Sequence, residues 1–204
     1  EMQRSLVGSE MCIRDSYRIL EKMLGTQAIT RSMAESLYVG MMTDTGNFSF
    51  SFLTPELYRA VAVLVETGID IPTIHNNVYN AFTEGRARLF GYAINRKMEV
   101  IQDGTVAYMS LLENEMRRFQ FQQGDSEGFV NYALTVKRMK MSAMFLAHRK
   151  FIRVSLRSRG DVDVNLFARK YFNGGGHKNA AGGKSFVSMQ ETIAHLSLIH
   201  ISEP

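Results

Sequence analysis

The sequence predicts an α/β protein. Capped helical stripes fill the stretch up to about residue 97, short alternating apolar runs replace them afterwards, and a capped helical stripe returns at Asp163. With 204 residues, the chain has room for one large domain or two small ones.

The helical signals come first. Ser32 and Glu35 have capping-box spacing, which opens a helix that runs to about Met42 and delivers Asp44 at its C-terminal end. Thr54 caps a second helix, Pro55 suits its first position, and Gly68 ends it, with Leu57, Val61, Leu64 and Val65 on one face. Pro72 starts a third, with Ile74, Val78 and Phe82 inward; His75, beside that stripe, reads as a packed or solvated histidine rather than a ligand. Leu89, Phe90, Ala93 and Ile94 keep a helical period over 84–97, read as a connector between two lobes.

The period then changes. Residues 98–101 and 105–110 flank Gln102-Asp103-Gly104, a hairpin signal. Helices are expected near 112–119 and 127–134, and strands over 139–147 and 151–157. In the second strand Ile152, Val154 and Leu156 alternate with Arg153, Ser155 and Arg157, so the guanidinium groups fall on an exposed sheet face. Lys137, Arg138, Lys140, Arg149, Lys150, Arg153, Arg157 and Arg159 accumulate with no acidic residue among them. A charge run is usually a solvated face, but this one leads toward a glycine-rich run. In between, Asp163 caps a helix whose stripe is Val164, Phe167, Ala168 and Tyr171.

The chain carries 24 basic and 20 acidic side chains, a formal charge of +4 that suits an anionic partner without specifying one. No apolar run approaches a membrane span. Residues 4–15 and 196–204 resemble translated sequencing-adapter read-through, so 1–16 and 197–204 are set aside as non-native extensions. The single cysteine, Cys12, falls in the first of them. The remainder has no thiol for a disulfide or zinc site, which fits a cytoplasmic protein.

Two motifs carry chemistry. The run Asn173-Gly174-Gly175-Gly176-His177-Lys178-Asn179-Ala180-Ala181-Gly182-Gly183 has the composition of a backbone that bends sharply and lays its N–H groups against a phosphate before entering a helical turn. A flexible loop with a surface histidine is the plainer alternative. Met41-Met42-Thr43-Asp44-Thr45-Gly46-Asn47-Phe48 offers a carboxylate, a hard ligand for Mn²⁺ or Mg²⁺, at a corner that Gly46 lets turn away. By itself Thr-Asp-Thr-Gly also fits an ordinary Asx-turn.

The glycine run resembles the motif of the DHHA1 domain, the C-terminal substrate-binding half of the DHH phosphoesterases, and the Asp44 segment is similar to the last metal-binding motif of that family. The resemblance is closest to the oligoribonuclease (nanoRNase) branch, which also dephosphorylates 3′-phosphoadenosine 5′-phosphate. It implies the C-terminal part of an α/β DHH catalytic lobe over 17–83, a connector helix over 84–97 and a mixed-sheet DHHA1 lobe over 98–196. The Asp-His-His triplet that names the family is absent, so the resemblance implies a C-terminal piece that is inactive alone.

The resemblance further implies Asp44 as catalytic metal ligand of a two-metal Mn²⁺ site, and Arg157, Ser158, Gly175, Gly176 and His177 as phosphate and nucleotide contacts. Asp125 to Asn131 looks like another family segment; Asn131 is the candidate for a base or ribose, while Glu127 reads better as a helix-terminal charge than as an acid catalyst. Lys178 fits phosphate binding or solvation equally, and Phe48 and Phe50 fit base stacking or core packing.

The implied activity is metal-dependent hydrolysis of short oligoribonucleotides from an end, with nucleoside 3′,5′-bisphosphate as a second substrate, in a protein with no membrane partner and with scope for a homodimer. The alternatives are a cyclic-dinucleotide or single-strand DNA phosphodiesterase of the same family, and a non-catalytic nucleic-acid-binding module.

Overall fold

The computed structural model describes residues 9–49 and 53–198; Phe50 and the outer parts of the two end segments lie outside them. The chain divides into two compact units between Ala81 and Phe82.

The first unit is helical: α1 (Ser9–Leu24), α2 (Arg31–Asp44), α3 (Pro55–Glu66) and α4 (Ile71–Tyr79). α1 begins inside the segment set aside on sequence grounds. Ala34, Tyr38, Met41 and Met42 of α2 meet Leu57, Ala60 and Leu64 of α3, with Tyr17 and Ile74 completing the core. The cap of α2 is Thr30, not Ser32: the Met33 N–H donates to Thr30 Oγ1 at 3.3 Å, while Glu35 accepts from Arg31 Nε at 3.1 Å. Thr54 caps α3 as expected, accepting from the Leu57 N–H, but Val65 stands exposed at the edge of the stripe. α4 ends at Tyr79, so Phe82 leaves its stripe and lies half exposed.

The second unit is built on a six-stranded mixed sheet with strand order β1-β2-β3-β4-β6-β5. α5 (Glu84–Tyr92) leads into a π-helical turn over 93–97. β1 (Met98–Ile101) and β2 (Val106–Leu111) then form the expected antiparallel hairpin. α6 (Glu113–Arg118) and α7 (Phe129–Ala133) carry the chain across to β3 (Met141–His148), which pairs parallel to β2. β4 (Phe151–Ser158) turns back antiparallel on β3, α8 (Val164–Tyr171) follows, and β5 (Gly175–His177) and β6 (Ala180–Ser185) close the sheet before α9 (Met189–Ala194).

Both faces of the sheet are covered, one only in part. On the first face Ile152, Val154 and Leu156 of β4 join Met141, Ala143 and Phe145 of β3 and pack on Val164, Phe167 and Ala168 of α8. On the second face Met109, Leu111, Met144 and Leu146 meet Leu89 and Ala93 of the 84–97 helix, with Met116 of α6 and Phe129 and Val130 of α7. The stretch expected to be a connector thus contributes core residues to the second unit.

The glycine run does not enter a helical turn; it becomes an edge hairpin whose strands are in register as Gly175 with Gly182, Gly176 with Ala181, and His177 with Ala180. Close backbone approach is the reason. A Cβ on Gly174 would lie 1.9 Å from the Gly182 carbonyl oxygen, and one on Gly176 would lie 2.4 Å from that of Ala180. Since the obstacles are backbone atoms, Gly174→Ala is expected to destabilise the fold by about 3 kcal/mol, the upper range for overpacking. Urea unfolding checks this: the midpoint falls at constant slope if the clash is the cause, and an unchanged midpoint would contradict the close-approach account.

Candidate functional site

Among the described residues the buried side-chain polar atoms without a hydrogen-bond partner include Asp44 Oδ2 in the first unit and Arg86 Nε, Ser142 Oγ and His195 Nδ1 in the second.

In the first unit, α2 ends at Asp44 and the chain turns through Gly46, Asn47 and Phe48, all at positive φ near +57°. Two of the three are not glycine, so the corner stores backbone strain of the kind that persists where neighbouring contacts over-determine it. Thr45 does the fastening: its buried hydroxyl donates to the Met41 carbonyl at 2.6 Å and accepts from the Phe48 N–H at 3.0 Å. The Asn47 N–H adds a bond to Met42 O at 2.7 Å.

Asp44 Oδ2 is buried without a hydrogen-bond partner, and burial pushes the carboxyl pKa above its ordinary value. A buried carboxylate oxygen lacking a donor fits a hard divalent cation. Among the described residues no group of three His, Cys, Asp or Glu side chains converges to hold one. Phe48 packs between Tyr38, at 5.9 Å, and Tyr58, at 6.2 Å, in a partly buried position. His75 lies against Tyr38, with the hydroxyl 3.3 Å from Nε2.

In the second unit, the ladders order the candidate residues. Ser142 of β3 pairs with Arg157 of β4, Arg157 with Ala180 of β6, and Ala180 with His177 of β5. Directly opposed residues project from the same face, so Ser142, Arg157, Ala180 and His177 form one row across four strands. The row belongs to the face against which α7 packs, and α7 contacts β4 itself.

Arg157 is partly buried rather than exposed as its alternation suggested. Its one described hydrogen bond runs from Nη1 to the Leu156 carbonyl at 2.9 Å. The ion pairs among the described residues engage Arg18, Arg31, Arg88, Lys97 and Lys178, and none engages Arg157. Burial, and secondly the charge of Arg153, hold its guanidinium below the usual arginine range. Beside it, Ser142 is fully buried with its hydroxyl unpartnered. An orphan donor next to an uncompensated cation is an arrangement that an anion satisfies.

Ser142→Ala is therefore expected to raise stability by about 1 kcal/mol, because an unpaired buried hydroxyl carries a desolvation cost and no bond. It should weaken phosphate binding at the same time. A lowered unfolding midpoint would mean that the hydroxyl has a partner.

The other expected contacts are distributed differently. Ser158 follows Arg157 on the strand and points to the opposite face. Its buried hydroxyl donates to the Val162 carbonyl at 2.6 Å and accepts from Asn179 Nδ2 at 2.9 Å, so it ties down the β4–α8 loop instead of facing Arg157. Gly175 pairs with Gly182 but turns toward Asn165 and Arg169 of α8, and the Gly176 N–H is taken by Asn165 Oδ1 at 2.9 Å. His177 is exposed at the edge. Lys178 meets Asp161 at 2.9 Å in an exposed pair.

Asn131 lies exposed on α7 and lines a groove of about 370 Å³ with Arg86, Phe90, Glu127, Tyr132 and Thr135. Arg86 stacks its guanidinium 3.5 Å over Phe82 and donates to the Glu127 carbonyl at 2.9 Å. Sequence reasoning missed Ser142, Thr45 and Arg86. The first becomes visible only through strand register, and the second through the hydrogen bonds of the corner.

The DHHA1 domain family matches residues 103–194, the segment that contains the row and the hairpin. This chain carries a DHHA1 domain. Its likeness to other proteins extends upstream of that domain. Over 156 residues the chain is 30% identical to the bifunctional oligoribonuclease and PAP phosphatase NrnA of Thermus thermophilus, an alignment covering 75% of this chain and 45% of that protein. The protein of the same name from Bacillus subtilis is 26% identical over 153 residues, with 75% and 47% covered. The crystal structure of an exopolyphosphatase-related protein from Bacteroides fragilis matches with a TM-score of 0.84 at 38% identity, over 89% of this chain and 53% of that one. The chain spans about half the length of the curated relatives it matches. No helix among the described residues is long and apolar enough to cross a membrane.

Proposed function

We propose that this DHHA1 protein grips the phosphate end of short oligoribonucleotides, and of nucleoside 3′,5′-bisphosphates, for hydrolysis by a metal-dependent phosphoesterase. The observation that carries the reading is Arg157: a partly buried guanidinium with no carboxylate partner among the described residues, in one row with the orphan hydroxyl of Ser142 and with His177. Such a row supplies charged and neutral donors to one phosphate, with the planar fork of arginine matched to its oxygens. The names of the Thermus and Bacillus relatives support the substrate class.

Asp44 would hold one divalent cation, Mn²⁺ in this reading, through its unpartnered Oδ2. When bound, the metal supplies polarisation of the phosphoryl group and a water of lowered pKa. The chain's own contribution is to fix the carboxylate at a strained corner pinned by Thr45, and to orient the phosphate on the sheet face. Asn131, exposed on α7, is proposed to meet the base or ribose.

Calorimetric titration of the whole chain with a dinucleotide, with and without a 5′-phosphate, tests the reading. The phosphorylated ligand is expected to bind at least tenfold more tightly, the worth of about 1.4 kcal/mol. Equal affinities would remove the phosphate-end assignment.

A further inference from the structure

The face that carries Arg157 holds a second cationic row. Across β4 and β6, Arg153 pairs with Lys184, Ser155 with Gly182, and Arg157 with Ala180. Gly182 continues to Gly175 on β5. The β4 and β6 residues share the Arg157 face by the alternation of the pleat, while Gly175 turns toward Asn165 and Arg169 of α8. The result is a trough: Arg157 and His177 on one side, Arg153 and Lys184 on the other, and between them a floor of Ser155 and Gly182 with almost no side-chain bulk.

Three observations separate this trough from an ordinary solvated basic surface. Like charges directly opposed on adjacent strands repel, yet Arg153 and Lys184 are opposed, and no ion pair among the described residues relieves either. The head groups of Arg153 and Arg157 also sense one another, since the Arg153 charge contributes to holding down the Arg157 pKa. Finally, the fully buried and unpartnered hydroxyl of Ser142 lies in the Arg157 row. Lys184 is steadied at the far side, its Nζ 4.8 Å from the centre of the Phe151 ring, which in turn stacks on His148 at 5.1 Å.

We propose that Arg153 and Lys184 form a second phosphate subsite, so that the trough takes two phosphates flanking one nucleoside, with the sugar lying over Ser155 and Gly182. The inference rests on the reading of Arg157 as the anchor of the first phosphate. Cα atoms four residues apart on a strand are separated by about 13 Å; the long side chains of Arg153 and Arg157, whose charges sense one another, can close that to the span of one nucleotide, while Lys184 holds the outer edge against Phe151. The second row selects for ligands with at least two phosphates, a property that short oligoribonucleotides and nucleoside 3′,5′-bisphosphates share and nucleoside monophosphates lack.

The test is titration of the whole chain with adenosine 5′-monophosphate and adenosine 3′,5′-bisphosphate, comparing the unchanged protein with Arg153→Ala/Lys184→Ala. Both positions are exposed, so the substitutions leave the core intact. A second double variant, Arg149→Ala/Lys150→Ala, removes the same charge from the exposed turn between β3 and β4. The bisphosphate is expected to bind about tenfold more tightly than the monophosphate. That advantage should vanish in Arg153→Ala/Lys184→Ala, with monophosphate affinity unchanged and the log–log salt slope for the bisphosphate flatter by about 0.7, the value for one phosphate contact of a single strand. It should survive in Arg149→Ala/Lys150→Ala.

Equal losses for both ligands, no loss for either, or the same loss in the turn variant would overturn the second subsite. If Arg157→Ala leaves monophosphate binding intact while the Arg153 and Lys184 pair still controls the bisphosphate, the first-phosphate reading fails and the second row stands. Absence of binding by either ligand to the unchanged chain overturns both.

Discussion

Arg157→Ala is expected to weaken binding of a 5′-phosphorylated dinucleotide roughly tenfold to hundredfold, the equivalent of about 1.5–3 kcal/mol for hydrogen bonds to a charged group. The magnitude follows from the surroundings of the guanidinium. It is partly withdrawn from water and has no carboxylate partner among the described residues, so most of its donors remain to be used by a ligand. Arg157→Lys should recover only part of the loss, since an ammonium keeps the charge and loses the planar fork. Lys137→Ala and Lys140→Ala should each cost less and chiefly flatten the salt dependence. Titration at two salt concentrations separates the roles. An Arg157→Ala chain that binds like the parent, or a lysine that restores full affinity, would show that the site senses charge alone.

What the sequence disclosed and what it concealed divide along the range of the interactions involved. Thr54-Pro55 and the Leu57, Leu64 stripe announced α3, and Asp103-Gly104 announced the first hairpin, because caps, turn residues and periodicity act over a few neighbouring positions. Ile152, Val154 and Leu156 likewise marked the buried side of β4. The cap of α2 was misplaced by two residues because Ser32 and Thr30 are both competent, and the choice went to the one whose Oγ reaches the Met33 N–H.

The glycine run concealed more. Its composition serves a phosphate-cradling loop and a close-packed hairpin equally well, and the hairpin forms because β6 pairs with β4 and brings Gly182 against Gly174. Arg157 was conspicuous as a residue, but its neighbours were not. Ser142 is 15 positions away in sequence and His177 is 20, and only register across β3, β4, β6 and β5 brings the three into one row. Register also turns Ser158 to the opposite face, a separation that the adjacency of Arg157-Ser158 in sequence hides.

Asp44→Asn is expected to act in opposite directions on stability and on catalysis. Burial raises the carboxyl pKa in the folded chain, so the folded state holds its proton at pH values where the unfolded chain has already released it. Stability is therefore full below the ordinary carboxylate pKa and falls as pH rises from that value through the raised one. Asparagine does not titrate. Near neutral pH the variant should unfold at higher urea than the parent, and the gap should narrow as pH falls below the ordinary carboxylate range. Parallel profiles for the two proteins across that window would mean that the charge of Asp44 is already compensated. In a longer protein supplying the remaining metal ligands, the same change should reduce hydrolysis of a 5′-phosphorylated dinucleotide by more than about 100-fold, since the loss of a residue that merely supports a metal ligand already costs 10–100-fold. The corner itself should hold, because Thr45 and the Asn47 N–H fasten it without the carboxylate. Retained turnover together with raised stability would leave Asp44 as a buried turn residue; lost turnover with raised stability is the signature of a group kept at a cost to the fold for the cation it binds.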